Sequence, residues 1–140
     1  MKKEHIRAIL ESAKTIAIIG AKDSPGQPVD RVGRYLIAAG YTILPVHPKR
    51  KTVWGIPAYP ALTDIPGPVD IVDVFRAPGY CEGHAAEALE CSPPPRLFWM
   101  QLGITSGNAV SLLAEKGVPV VEDACLMVEH AEMFGRNVLE

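Results

Sequence analysis

The sequence has 140 residues, 48% of them hydrophobic and 21% charged, which is typical of one folded domain over 1–140 and excludes a disordered chain. The 14 Lys and Arg residues against 16 Asp and Glu give a net charge of −2, so we expect no nucleic-acid or membrane-surface partner. No apolar run reaches the ~18 residues that span a bilayer. The N-terminus resembles no signal peptide, and we expect a cytoplasmic protein.

Five apolar runs alternate with stretches of helical periodicity. After an amphipathic helix over 2–13, the β-branched run TIAIIG (15–20) predicts a strand that is buried on both faces. Further strands are predicted over 41–46, 69–75, 96–101 and 118–123, and helices over 28–39, 80–91, 106–116 and 124–134. This alternation predicts an α/β, Rossmann-like, three-layer fold with a doubly wound parallel sheet of five strands in the order 3-2-1-4-5.

Two residues within these elements affect how the elements pair and pack. Pro45 lies inside the second predicted strand, and because it lacks an N–H it marks the end of this strand or an exposed side of it. Gly33 lies one turn inside the following helix pattern, where we expect it to let the helix pack close to the first strand.

Ligands of open α/β sheets bind beyond the carboxyl ends of the strands, so the loops that follow the strands are the candidate site. The first loop, GAKDSPGQP, begins at Gly20 and runs into a helix with Pro28 in its first turn. A phosphate fits the free N–H groups of a helix N-terminus. The loop lacks the spacing of a G-x-G-x-x-G fingerprint or a Walker A motif, and the alternative is a plain strand–helix turn.

The second predicted strand ends in VHPKRK, residues 46–51. Three consecutive cations cannot accept hydrogen bonds from a ribose diol, as the Asp or Glu of an NAD site does, but they can neutralise a phosphate. The run therefore favours a ligand with an additional ribose phosphate, such as NADP or coenzyme A. The alternative is a solvated basic turn.

The later strand ends add polar candidates. Arg76 follows the third predicted strand, where we expect a ligand contact rather than a salt bridge to Asp73. Gln101 and Gly103 follow the fourth strand, and the Gln101 amide can hydrogen-bond a polar ligand group.

Cys125 follows the fifth strand at the start of a predicted helix, with His130 nearby. Three interpretations stay open for Cys125: a buried thiol, a reactive thiol stabilised by the helix N-terminus, and a metal ligand together with His130. The first is preferred. The three cysteines of the chain form no C-x-x-C pair, so neither a disulfide scaffold nor a metal site is expected.

Several motifs in order resemble the CoA-binding domain family in its small stand-alone branch. They are TIAIIGAKDSP, RVGRYLIAAGYTILPVHPK, WGIPAYPALTDIPGPVDIVDVFR, LFWMQLGI and DACLMVEH, which together span about residues 5–134. The same domain forms the N-terminal part of succinyl-CoA synthetase α subunits. Two positions depart from the family: His47 stands where members commonly carry Asn, and Val29-Asp30-Arg31 replaces a common Ser-Tyr-Arg helix start.

The resemblance implies a Rossmann-like domain that binds coenzyme A across the strand ends. It implies that the Gly20 loop and the helix start hold the pyrophosphate, that Pro48 and Lys49 flank the adenosine and its 3′-phosphate, and that Arg76 lies beside the nucleotide. The pantetheine arm would then run towards Gln101 and Cys125. The candidate binding set is Gly20, Ala21, Lys22, Ser24, Pro25, Arg31, His47, Pro48, Lys49, Arg76, Gln101, Gly103 and Cys125.

These patterns support three hypotheses. The first is a non-catalytic protein that binds coenzyme A or acyl-CoA as a carrier, a sensor or a subunit of an acyl-CoA system, because no phosphohistidine site like that of the synthetases is recognisable. The second is an NADP-binding redox protein or sensor. The third is a ligand-free interaction module, supported by Asp30, which we expect to cap the helix and to repel phosphate. A homodimer or an unknown partner subunit is expected on general grounds.

Overall fold

The computed structural model describes residues 3–138. Its helices are α1 (Lys3–Ser12), α2 (Pro28–Ala38), α3 (Cys81–Glu90), α4 (Gly107–Glu115) and α5 (Leu126–Phe134). Its strands are β1 (Thr15–Ile19), β2 (Thr42–Val46), β3 (Thr52–Val53), β4 (Ile56–Pro57), β5 (Ile71–Val74), β6 (Leu97–Met100) and β7 (Val120–Val121). Residue 2, where the first predicted helix begins, lies outside the described residues. No helix between residues 3 and 138 is long and apolar enough to cross a membrane.

Five of these strands form one parallel sheet in the order β2-β1-β5-β6-β7. The α/β class, the five parallel strands and the Rossmann-like arrangement are therefore confirmed. Numbered along the chain, the order is 2-1-3-4-5 and differs from the predicted 3-2-1-4-5, because the third strand pairs with β1 instead of β2. The physical reason is Pro45, which lies opposite Ile18 in β2. Since Pro45 has no N–H for a second ladder, β2 belongs at the edge of the sheet.

Helices cover both faces of this sheet. Ile16 and Ile18 of β1 pack in a cluster with side chains of α1, α2 and α5. Ala17 and Ile19 point to the other face, where they pack with side chains of α3 and α4. Residues that are buried on both faces explain why the strand sequences are continuous apolar runs, and this arrangement confirms the three-layer fold.

A small antiparallel hairpin, β3–β4, lies in the connection after β2, where the sequence analysis predicted no element. Its Trp54 packs on Gly33, such that a Cβ added at Gly33 would lie 2.1 Å from the indole. The expectation that Gly33 makes room for the first strand was therefore wrong, because Gly33 makes room for Trp54. Asp23 holds the hairpin in place by accepting hydrogen bonds from the Trp54 N–H (3.1 Å) and from Arg50 (2.9 Å).

Candidate functional site

The carboxyl ends of β1, β2 and β5 surround a basic pocket of about 750 Å³. It lies where the chain connections run in opposite directions from the middle of the sheet, which is the usual ligand position in this architecture. Three loops supply its lining residues, which are Gly20, Lys22, His47, Pro48, Lys49, Arg50, Phe75, Arg76, Ala77 and Tyr80. We call this cavity the basic pocket.

Gly20 allows the first and third of these loops to approach each other. Its φ is +84°, and a Cβ at this position would lie 2.4 Å from the carbonyl oxygen of Phe75. A residue with a side chain would meet both an unfavourable backbone conformation and a backbone clash. Glycine at position 20 therefore keeps the β1 and β5 loops together at the floor of the pocket.

His47 shapes the loop that carries the cations. Its Nδ1 accepts hydrogen bonds from the backbone N–H groups of Lys49 (3.0 Å) and Arg50 (3.1 Å). An Asn side-chain oxygen makes the same type of turn, which explains why His can stand where Asn is common in the family. Burial lowers the pKa of His47, and the nearby positive charges of Arg50, Lys22, Lys49 and Arg76 lower it further. His47 is therefore neutral at physiological pH, as its role as an acceptor requires.

Arg76 faces the basic pocket instead of forming the alternative salt bridge. Its guanidinium group lies 4.1 Å from the centre of the Tyr80 ring, and the Tyr80 side chain is exposed. Asp73, the alternative partner, is fully buried and its carboxylate oxygens have no hydrogen-bond partner within residues 3–138. The Arg76–Tyr80 pair combines a positive charge with a flat aromatic surface, which suits a phosphorylated nucleotide.

Asp30 is not the helix cap that the sequence suggested. The N-cap residue of α2 is Gln27, while the Asp30 carboxylate accepts hydrogen bonds from the Trp54 indole (2.9 Å) and from Arg34 (2.9 and 3.1 Å). Because Asp30 is buried and its carboxylate is paired with Arg34, we do not expect it to repel a phosphate as the sequence predicted.

A second pocket of about 400 Å³ adjoins the basic pocket, and Phe75, Arg76 and Ala77 form walls of both. Most of its lining is apolar, and the residues are Pro28, Phe75, Arg76, Ala77, Gln101, Leu102, Ile104 and Cys125. We call this cavity the apolar pocket. The two neighbouring pockets differ in character, since the first is lined by several cations and the second mostly by apolar residues.

Gln101 and Cys125 meet at the apolar pocket although 24 residues separate them. Cys125 is the N-cap residue of α5, and the next residue, Leu126, donates its backbone N–H to Gln101 Oε1 at 3.1 Å. This bond fixes the orientation of a side chain that is only 4% exposed. Cys125 is half-buried and is a free thiol.

His130, by contrast, lies away from Cys125 in a separate buried network. It contacts the hydroxyl groups of Tyr35 (2.7 Å) and Tyr41 (3.1 Å). Within residues 3–138, no group of three or more His, Cys, Asp or Glu side chains could hold a metal ion.

The two pockets bring together eight of the thirteen candidate residues. Ala21 is fully buried in the core, and the N–H of Gly103 is occupied by Asp123 at 2.7 Å. Ser24 and Pro25 belong to the turn before α2, and Arg31 is exposed on that helix. These five residues line neither pocket.

The candidate binding set left out several residues that do line the pockets, namely Pro28, Arg50, Phe75, Ala77, Tyr80, Leu102 and Ile104, although Arg50 and Pro28 belong to the loops that the sequence singled out. The spacing of Tyr80, four residues after Arg76, offered a signal that the two could meet at the start of a helix. The apolar residues gave no such signal, because exposed or half-buried apolar positions in loops are common.

Comparisons with known proteins identify the family of the chain. Residues 14–131 match the CoA binding domain family. The chain is 40% identical over 129 residues to the uncharacterized protein YneT of Bacillus subtilis, covering 92% of this chain and 94% of that protein. A solved structure from Thermus thermophilus, cell-free ID.343, superposes with a TM-score of 0.89 at 43% identity over 96% of this chain and all of that chain. A hypothetical protein from Pyrococcus horikoshii superposes with a TM-score of 0.91 at 32% identity, covering 96% and 94% of the two chains. The chain thus belongs to the CoA binding domain family.

Proposed function

We propose that this protein binds coenzyme A or acyl-CoA without transforming it, as a carrier, a sensor or a subunit of an acyl-CoA system. The observation that carries the proposal is that the basic pocket and the apolar pocket are neighbours, with Phe75, Arg76 and Ala77 lining both. Coenzyme A has the same division, since a nucleotide with three phosphate groups continues into a long, weakly polar pantetheine arm.

The charges of the basic pocket support the nucleotide end. Lys22, Lys49 and Arg76 line it, and none of them has a salt-bridge partner within residues 3–138. Arg50 also lines the pocket but is paired with Asp23. Unpaired cations in a concave site attract phosphates, and each charge-assisted contact contributes about 1.5–3 kcal/mol. Pro48 and Tyr80 supply flat surfaces for a base.

Calorimetric titration with coenzyme A, 3′-dephospho-coenzyme A and NADP tests the proposal. We expect coenzyme A to bind and the affinity to fall without the 3′-phosphate. Lys49→Ala is expected to weaken coenzyme A binding by roughly ten- to a hundredfold. The matched control is Lys51→Ala, because Lys51 belongs to the same run of cations but lies outside the lining of the pocket, and it should leave the affinity unchanged.

Other results would redirect the proposal. A clear preference for NADP would favour the redox hypothesis. Equal loss of affinity in Lys49→Ala and Lys51→Ala would indicate attraction by the general charge of the loop rather than a specific contact. Absence of binding to all three nucleotides would contradict the proposal and leave the interaction-module hypothesis.

A further inference from the structure

We propose that the apolar pocket is an acyl-thioester site, in which Gln101 Nε2 donates a hydrogen bond to the acyl carbonyl oxygen. The preferred ligand is then an acyl-CoA with a short hydrocarbon acyl group rather than free coenzyme A. This inference rests on the proposed function and specifies the ligand class of the same site.

The orientation of the Gln101 amide is the first observation. Its oxygen accepts the backbone N–H of Leu126 at 3.1 Å, which is possible only if Oε1 rather than Nε2 faces that donor. The Nε2 group is consequently turned to the other side. Gln101 is only 4% exposed and lines the apolar pocket, and among residues 3–138 no hydrogen-bond acceptor contacts its Nε2. A donor that opens into a pocket and has no protein partner is available to an acceptor of the ligand.

The chemistry of the surrounding walls is the second observation. Besides Gln101, the polar side chains of the lining are Arg76, which only donates, and Cys125, which is a weak donor and a weak acceptor. An amide of the pantetheine arm would bring a carbonyl to Gln101 but would also bury an N–H with no strong side-chain acceptor. A thioester has a carbonyl and no N–H, and so it matches a pocket whose polar side chains mainly donate and whose other walls are apolar.

The apolar residues define the class of acyl group. Leu102 and Ile104 follow Gln101 along the loop after β6, and Phe75 forms a wall that is shared with the basic pocket. These walls present hydrocarbon surface. The charged residue of the lining is Arg76, which also lines the basic pocket proposed for the nucleotide. The pocket therefore suits a small hydrocarbon acyl chain.

The test compares two ligands that differ only in the carbonyl group. Propionyl-CoA is titrated against S-propyl-CoA, a thioether of the same chain length that has no carbonyl, on the unmodified protein. We expect propionyl-CoA to bind about tenfold more tightly, the size of one buried hydrogen bond. Free coenzyme A should bind more weakly than either, because it leaves the apolar walls exposed.

Substitution of Gln101 tests whether its amide causes the difference in affinity between propionyl-CoA and S-propyl-CoA. Gln101→Glu retains an oxygen for the Leu126 N–H and replaces the Nε2 donor by an acceptor, and Gln101→Met removes both. The dissociation constant of S-propyl-CoA divided by that of propionyl-CoA should fall to about one in Gln101→Met, and to one or below in Gln101→Glu, because a carboxylate oxygen repels the acyl carbonyl. The matched control is Ile104→Val, which removes one methylene group from the wall and should weaken both ligands by the same factor, leaving the ratio intact.

Three results would overturn the inference. Equal affinity for the two ligands on the unmodified protein would do so while leaving coenzyme A binding established, and this result does not depend on whether a variant folds. A Gln101→Glu variant that weakens free coenzyme A and propionyl-CoA by the same factor would place a pantetheine amide at Nε2. Failure to bind any of the three ligands would contradict the proposed function itself.

Discussion

The indole Nε1–H of Trp54 donates a 2.9 Å hydrogen bond to the buried carboxylate of Asp30. This bond joins the β3–β4 hairpin to the first turn of α2, and Arg34 completes the neutralisation of the carboxylate from its own helix. The hairpin therefore holds the only acidic residue of this helix start away from the basic pocket. The relationship explains how an acidic residue can stand there without opposing a phosphate.

The effect of Gly33→Ala on stability should depend on whether Trp54 is present. A Cβ at Gly33 would lie 2.1 Å from the Trp54 ring, so we expect Gly33→Ala to lower the free energy of unfolding by about 1–3 kcal/mol through overpacking. In a Trp54→Ala background the same substitution should be stabilising by up to about 1 kcal/mol, because Ala favours a helix more than Gly does. Urea unfolding of the four proteins measures both effects. Equal effects in the two backgrounds would show that the contact does not control position 33.

His47 acts as a backbone acceptor, and so it should be replaceable by Asn but not by Ala. His47→Asn keeps an acceptor for the Lys49 and Arg50 N–H groups, and we expect coenzyme A affinity within a factor of about two of the original. His47→Ala loses both bonds and should weaken binding about tenfold, since neutral hydrogen bonds contribute about 1 kcal/mol each. Calorimetric titration checks the series. An Asn variant as weak as the Ala variant would assign His47 a direct ligand contact instead.

Because of His130, we expect the free energy of unfolding to fall as the pH drops below neutral. Tyr41 donates its hydroxyl to the Leu10 carbonyl at 2.6 Å, so it accepts from His130 Nε2–H, and His130 Nδ1 accepts from Tyr35. Burial, with a smaller contribution from the charge of Arg136, lowers the pKa of His130 from its ordinary 6.5 to about 4. Because the unfolded chain takes up the proton first, stability is complete above pH 6.5 and falls as the pH drops towards 4, by about 3 kcal/mol.

The matched variant for this prediction is His130→Gln, whose amide can accept from one tyrosine and donate to the other without titrating. Chemical unfolding at a series of pH values should give the variant a smaller loss of stability between pH 6.5 and 4 than the original protein. Since His47 also has a lowered pKa, part of the loss should persist in the variant. Identical pH profiles would exclude His130 as the source.

Asp73 should have the opposite pH dependence. It lies between Ile18 and Trp99 in the sheet, and burial raises its pKa well above the ordinary 3.8. The folded protein therefore keeps the carboxyl protonated where the unfolded chain ionises it, and stability declines as the pH rises from about 4 through the raised pKa. Asp73→Asn should abolish this decline, and Asp73→Val should in addition raise stability by about 1–3 kcal/mol, because it removes an unsatisfied buried polar group. A decline that persists in both variants would contradict this assignment.

The sequence by itself determined the layers of the fold and the edge of the sheet where the site lies. Continuous β-branched runs such as TIAIIG require burial on both faces, and glycines and cations directly after the strands place polar groups at one edge of a parallel sheet. His47, Lys49 and Arg76 were identifiable for this reason, since each lies within three residues of the end of a strand. Pro45 also contained the information that β2 is an edge strand, although only the pairing showed how the remaining strands are ordered.

Only the tertiary structure decided which polar groups are engaged and which are free. Asp30 finds Trp54 across 24 residues, and Gln101 finds the N–H of Leu126 across 25. Neither partner is visible as a local pattern, because periodicity describes the face on which a residue lies and not the residue that meets it from another element. The same contacts neutralise the acidic group at the start of α2 and orient the Gln101 amide at the apolar pocket, so the polar groups that the proposed site offers to a ligand depend on packing between distant segments.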